Sequence, residues 1–229
     1  MSYYLFDRHD VDVSIPTISR TLAVAKWSRK IAKKRAQQRN NTLRSHWRAK
    51  RLFWQQGQIV FIDESAASPR TGDRKRGWSP VGLPCLDTQR LRREHRWSVL
   101  PALTVNGYLS EPLIVQGSVT MALFEEWLAD KVLPKLVPGM VMVMDNASIH
   151  RSDVVKQLCL NHGIQLEYLP PYSPDLNPIE ESFNVLKAWV RRSIQMACIF
   201  ADFGAFMVYA VEEVGAQDAS GWYRHCGYE

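Results

Sequence analysis

The chain has only four cysteines, Cys85, Cys159, Cys198 and Cys226, and no two of them form a CxxC pair. That scatter excludes a zinc ribbon or a disulfide framework, and the four are expected as reduced thiols. No apolar run approaches the roughly 18 to 20 residues that a membrane-spanning helix needs. The N-terminus carries Asp7, Asp10 and Asp12 and lacks a signal-peptide pattern, so an intracellular, soluble protein without a membrane partner is expected. There is no P-loop, which removes the phosphate cradle of a nucleotide hydrolase, and no internal repeat. One further absence is local: from Lys26 to Arg51 there is not a single acid among eleven Lys and Arg.

That basic segment dominates the charge balance. The whole chain carries a formal +6, so eleven cations in one stretch leave the remainder at −5. A basic arm on a mildly acidic body is the electrostatic footprint of a polyanion partner, most often nucleic acid. Arg20, Lys26, Arg29, Lys30, Lys33, Lys34 and Arg35 are the candidate phosphate contacts. The run Lys30-Ile-Ala-Lys-Lys-Arg also suits a nuclear-import signal. The length of 229 residues fits one large domain, or a domain with a small appendage, and 46% apolar content is enough for a sizeable core.

Along the chain, residues 2–9 and the stretch after Ser14 read as two short helices. Ser14 suits an N-cap and Pro16 a first turn, and the pair is similar to the last two helices of a helix-turn-helix unit. Residues 28–53 read as a long basic helix. From Gly57 the pattern changes to short apolar strands. Gln58–Ile62 is the first and Trp97–Thr104 the second, with Pro101 marking an edge position or a bulge. Asn106-Gly107 signals a hairpin, so Tyr108–Val115 should return antiparallel. A helix over Thr120–Val132, a doubly buried strand over Met140–Met144, a helix over Ser152–Asn161 and a strand over Ile164–Leu169 follow. The proline-rich loop Pro170–Pro178 leads into a helix from Ile179, and another helix closes the chain near Phe200–Val214. That order predicts an α/β fold with a mixed sheet and flanking helices, of which the ribonuclease-H-like arrangement is one example.

Three acids stand out by placement. Asp63 ends the first strand, Asp145 ends the strand VMVM, and Glu180 opens the helix after the proline loop, with 34 residues between Asp145 and Glu180. Carboxylates suit hard cations, and two such ions can serve phosphoryl transfer. Each acid also has a local use, as a turn former, a cap or a complement to a helix dipole. Asp175 reads as a turn former and Asn177-Pro178 as a helix start. Glu64 points away from Asp63 along the strand, and His150 beside Asp145 serves either a substrate, a ligand or a structural hydrogen bond.

The segments FIDES, GWSPVG, VMVMDNASIH and LPPYSPDLNPIEESFNVLKAWVRR, in that order, resemble the catalytic domain of mariner-like DDE transposases, which are related to bacterial insertion-sequence transposases. The resemblance spans about residues 52–192 and is echoed in 14–39. It implies a ribonuclease-H-like domain over 52–229, preceded by a partial helix-turn-helix and basic linker over 1–51. It implies two Mg²⁺ or Mn²⁺ ions held by Asp63, Asp145 and Glu180. It further implies cleavage and joining of DNA at transposon ends, in the nucleus, by a homodimer. Relatives carry two helix-turn-helix units, and this chain is expected to begin inside the second. The alternative is a remnant that binds nucleic acid without turnover.

Overall fold

A computed structural model of the chain describes residues 2–28, 39–73, 78–86, 95–147, 150–215 and 218–229. The chain divides into two compact units, Met1–Gln37 and Gln38–Glu229. The first holds two helices, α1 (Ser2–His9) and α2 (Ile15–Val24). As the sequence implies, the Ser14 hydroxyl accepts the Thr17 N–H at the start of α2, which satisfies one of the orphan donors of a helix N-terminus. None of residues 4–28 is buried, because two short helices enclose too little volume for a core.

The second unit begins with α3 (Asn41–Lys50), capped by the Asn40 side chain on the Leu43 N–H. A three-stranded antiparallel ribbon follows, each strand broken once. Its first strand is β1 (Ile59–Ile62) and β2 (Ser65–Ala67), its second β3 (Trp97–Leu100) and β4 (Ala102–Thr104), its third β5 (Gly107–Tyr108) and β6 (Leu113–Gln116). β4 pairs with β1 and β5, and β3 with β2 and β6. Pro101 therefore interrupts the middle strand and not an edge; having no N–H, it ends one ladder where the next begins.

Helix α4 (Met121–Trp127), extended by a wider turn over Leu128–Val132, leads to β7 (Val141–Met144). Then come α5 (Asp153–Asn161), β8 (Gln165–Tyr168), α6 (Pro178–Ser193), α7 (Phe203–Gly215) and α8 (Ser220–His225). β7 lies parallel to β1 on one side and to β8 on the other, giving the order β5-β4-β1-β7-β8.

The runs IVFI and VMVM are buried along their whole length, as a central strand covered on both faces requires. Strand alternation divides them between two cores. Ile59, Phe61, Val141 and Val143 pack with Phe183 and Leu186 of α6 and Phe206 and Val211 of α7. Val60, Ile62, Met142 and Met144 pack with Phe124 of α4 and Val155 and Cys159 of α5. Each such fully buried side chain stabilises the fold by about 1.5–3 kcal/mol. The result is a mixed sheet between two helical layers.

Of the region read as a basic helix over 28–53, residues 29–38 lie outside the described residues; the described part is broken at Asn40, which is extended and caps α3 over 41–50, and the cations of α3 are largely engaged within the unit. Lys50 pairs with Glu167 on β8 at 2.5 Å. Arg51 donates to the Cys226 carbonyl at 2.6 Å and lies over the Tyr228 ring. Arg44 is buried, 2% exposed. The apolar Trp47, also buried, accounts for this, since it pulls the helix onto the sheet core.

Candidate active site

Register brings two of the acids together. Ile62 and Met144 are partners across the parallel β1–β7 pair, and Asp63 and Asp145 are the next residue on each strand. Neighbouring strands lie about 4.8 Å apart, so the two aspartates leave the same edge side by side. By alternation both continue the face that carries Phe61 and Val143, which is the face covered by α6. Helix α6 is seated there by Ile179, Phe183, Leu186 and Val190, four buried residues on one stripe. That seating places Glu180, in its first turn, over the two strand ends. Asp63, Asp145 and Glu180 line one cleft of about 510 Å³ with Asn146, Tyr172 and Asn177. Glu64 has the opposite parity and instead accepts the Ser98 hydroxyl at 2.6 Å.

Each aspartate is oriented by donors. Asp63 accepts the Glu64 N–H at 2.7 Å and the Asn177 amide at 2.8 Å. Asp145 accepts the Ala147 N–H at 3.1 Å and lies 2.7 Å from His150 Nδ1. A carboxylate only accepts, so Nδ1 carries the proton. His150 is buried against the Phe124 ring and its carbonyl accepts the Tyr168 hydroxyl at 2.6 Å, which fixes the imidazole.

The electrostatics differ among the three acids. Burial, then the charges of Asp145 and Glu180, push Asp63 from its ordinary 3.8 up to about 7. The His150 hydrogen bond holds Asp145 below the usual carboxylate range against burial. Burial raises Glu180, with Asp145 adding to the rise and Lys187 opposing it. Asp63 thus bears the charges of both other acids on top of its burial, and among the described residues no three His, Cys, Asp or Glu side chains are gathered tightly enough to hold one ion between them.

The loop 170–178 carries residues whose roles are not visible in the sequence. Asp175 does more than form a turn: Arg44 of α3 grips it with two hydrogen bonds of 3.0 and 2.6 Å, and Arg39 adds a third at 3.0 Å. The Tyr228 hydroxyl, itself accepting from Trp47, donates to the Leu176 carbonyl at 2.7 Å. Asn177 occupies the N-cap position of α6 yet makes no side-chain cap. Its amide nitrogen is spent on Asp63, and its oxygen is buried without a hydrogen-bond partner. Forgoing a cap sacrifices about 1 kcal/mol of helix stability.

Residues 58–199, more than half of the chain, match the family model described as DDE superfamily endonuclease. The chain belongs to that family. Solved structures agree on the fold of this DDE endonuclease. A Mos1 strand transfer complex aligns with a TM-score of 0.67 at 17% identity, covering 98% of this chain and 72% of that one. A mariner Mos1 paired-end complex with Mg gives 0.64 at 17% identity over 98% and 73%. The catalytic domain of Mos1 mariner transposase gives 0.51 at 15% identity over 87% and 91%. At these identities the likeness speaks for the fold, which is ribonuclease-H-like. No curated protein matches the chain.

Of the phosphate contacts expected from sequence, Arg20 and Lys26 are exposed in the first unit. Arg29, Lys30, Lys33, Lys34 and Arg35 lie outside the described residues. Among the described residues no helix is long and apolar enough to cross a membrane.

Proposed function

We propose that this DDE endonuclease is a transposase, cleaving and joining DNA at transposon ends, with Asp63, Asp145 and Glu180 as the ligands of two Mg²⁺ or Mn²⁺ ions. The observation that carries the proposal is the β1–β7 register, which sets two aspartates side by side beneath a glutamate on α6. The donor set fits hard cations: three carboxylates, burial and neighbouring negative charge that together lift Asp63 to about 7, and the unpartnered buried oxygen of Asn177 beside it. A divalent ion usually needs only one or two protein carboxylates, the rest coming from water and phosphate, so a spread set of acids suits a pair of ions.

When bound, the ions supply activation of the attacking oxygen and stabilisation of the leaving oxygen at phosphorus. The chain's own residues hold the ligands still. Asn177 and the Glu64 N–H fix Asp63, while His150 and the Ala147 N–H fix Asp145. Water attacks in strand cleavage and a DNA 3′-hydroxyl in joining. Arg20, Lys26, Arg29, Lys30, Lys33, Lys34 and Arg35 contact phosphates, in a nuclear protein that works as a dimer on paired ends.

The test is metal-dependent nicking of supercoiled plasmid by the full chain with Mg²⁺ or Mn²⁺. The expected result is nicking that Asp145→Asn abolishes. A wild-type protein that leaves the plasmid intact with either metal, or a variant that nicks equally well, would overturn the proposal.

A further inference from the structure

The cleft rim carries an exposed aromatic ring in an unexpected backbone state. Tyr172 sits in the turn at Pro171–Tyr172 with φ of +54°, in the left-handed region. Glycine or asparagine is the usual choice there, because a Cβ crowds the backbone. The other non-glycine residues with positive φ among those described are Asp10, Lys26 and Glu111, all polar. Tyr172 is 57% exposed although its neighbours turn inward: Ser173 and Leu176 are buried. Ser173 donates to the Pro171 carbonyl at 3.2 Å, and the tethers on Asp175 and Leu176 hold the rest of the loop. The surroundings thus impose the turn, and the turn presents the ring to the cleft that Asp63, Asp145 and Glu180 line. Strained backbone that its surroundings over-determine is concentrated at ligand clamps and active sites.

We propose that Tyr172 is a stacking platform for an unpaired nucleobase next to the scissile phosphate. The proposal rests on the reading of the cleft as a DNA phosphoryl-transfer site and names how that site holds its substrate. The chemistry favours a base over other ligands. Ions on the three carboxylates would hold the scissile phosphate by charge but would not orient the bases beside it, so fixing the strand at this edge needs a contact that does not depend on charge. An exposed aromatic face supplies one, and base stacking is tolerant of sequence because every base has a π-face. The competing explanation is that the ring is incidental to the turn; in that case glycine serves the site as well as tyrosine.

The experiment uses the full chain with Mn²⁺ and duplex DNA with splayed single-stranded ends, carrying 2-aminopurine at successive positions around the junction. Wild type and Tyr172→Phe should quench the fluorophore at one or two adjacent positions. Tyr172→Gly should lose the quench and bind the splayed ligand roughly ten- to hundredfold more weakly, the range that loss of one stacked base implies. Its urea midpoint should rise or stay unchanged, since glycine adopts the left-handed region freely. Tyr172→Asn, which also tolerates that backbone, should show the same loss and guards against a folding defect in a single variant. Quenching by the Gly and Asn variants equal to wild type, or no quenching by wild type at any position, overturns the proposal. Plasmid nicking is scored in parallel. Quenching without nicking refutes phosphoryl transfer but keeps the stacking, whereas nicking without quenching refutes the stacking alone.

Discussion

Asp63→Asn should make the metal-free protein more stable while destroying its activity. The carboxyl of Asp63 titrates at about 7 in the fold against an ordinary 3.8. At 1.36 kcal/mol per pH unit, that difference is a penalty of about 4 kcal/mol for carrying the charge in the folded state above pH 7. The direction follows from linkage. A group whose folded value is raised contributes its full stability below the unfolded value, and that contribution is lost as pH rises through the folded value. Metal-free wild type should therefore weaken between about pH 4 and pH 7, and the asparagine variant should lack that part of the slope.

Hydrogen bonding offsets some of the gain. The introduced amide can still accept the Glu64 N–H, but its NH₂ would meet the amide nitrogen of Asn177. Rotating Asn177 turns its unpartnered oxygen toward that NH₂ and leaves its own nitrogen without a partner, a loss of about 1–2 kcal/mol. The net expectation is a gain of about 2–3 kcal/mol at pH 8 in EDTA. In urea unfolding followed by tryptophan fluorescence, that is a midpoint shift of about 1 M for a slope of 2–3 kcal/mol/M. At pH 4 the charge penalty is nearly gone, and the variant should fall below wild type by up to the hydrogen-bond loss of about 1–2 kcal/mol. Added Mn²⁺ should reverse the order, because metal at a thousandfold excess over its Kd adds about 4.1 kcal/mol to the form that binds it. A variant that is no more stable than wild type at pH 8 in EDTA refutes the account of Asp63 as a carboxylate held against burial and the charges of Asp145 and Glu180.

His150→Gln should weaken Mn²⁺ binding, measured by calorimetry, by about 10- to 100-fold, the usual loss when a group orienting a metal ligand is removed. Arg44→Ala and Tyr228→Phe release the same loop through different atoms, the Asp175 carboxylate and the Leu176 carbonyl. Because Asp175 is half exposed and rehydrates, the loss of stability from Arg44→Ala should be about 1–2 kcal/mol, well short of a fully buried pair. Nicking by the double variant should be non-additive by at least about 0.5 kcal/mol in a double-mutant cycle, and simple additivity would count against a shared loop. Replacing Lys33, Lys34 and Arg35 by alanine should weaken DNA binding alike for all sequences and reduce the log–log salt slope by about 2.7, and an unchanged slope would remove these three from the interface.

Much of the frame was legible because it is written in short-range pattern. IVFI and VMVM are continuous apolar runs, and such runs report burial on both faces wherever they occur. Asn106-Gly107 reports a hairpin, and the stripe Phe183, Leu186 and Val190 reports the face of α6. The placement of Asp63, Asp145 and Glu180 at one edge follows from these local facts together with the parallel pairing. What was hidden depends on distant partners. Arg44 reads as one more cation in a basic run until Asp175, 131 residues away, is seen to meet it. Trp47 reads as a sparse apolar contact until Tyr228, 181 residues on, accepts its indole N–H. Pro101 reads equally as edge or bulge, because nothing local says which strands flank it. Asn177 misleads most. Its position announces a cap, and only the structure shows that the amide has been turned to Asp63.

These hidden contacts share one target. The loop 170–178 is held by a guanidinium from α3, a hydroxyl from the C-terminal end and, through Asn177, the aspartate at the end of β1. A connection with no function beyond joining β8 to α6 would need none of these, and capping α6 with Asn177 would have been locally the better use of that side chain. The same loop carries Tyr172 in a strained turn and leads directly into Glu180. The tethers therefore act where the fold gains least from them and the chemistry most. They fix the distance between a glutamate on a helix and two aspartates on a sheet, three charges that would otherwise move apart. The sandwich core supplies the stability that this arrangement consumes, so variation in the core should change melting before activity, and variation in the tethers should change activity before melting.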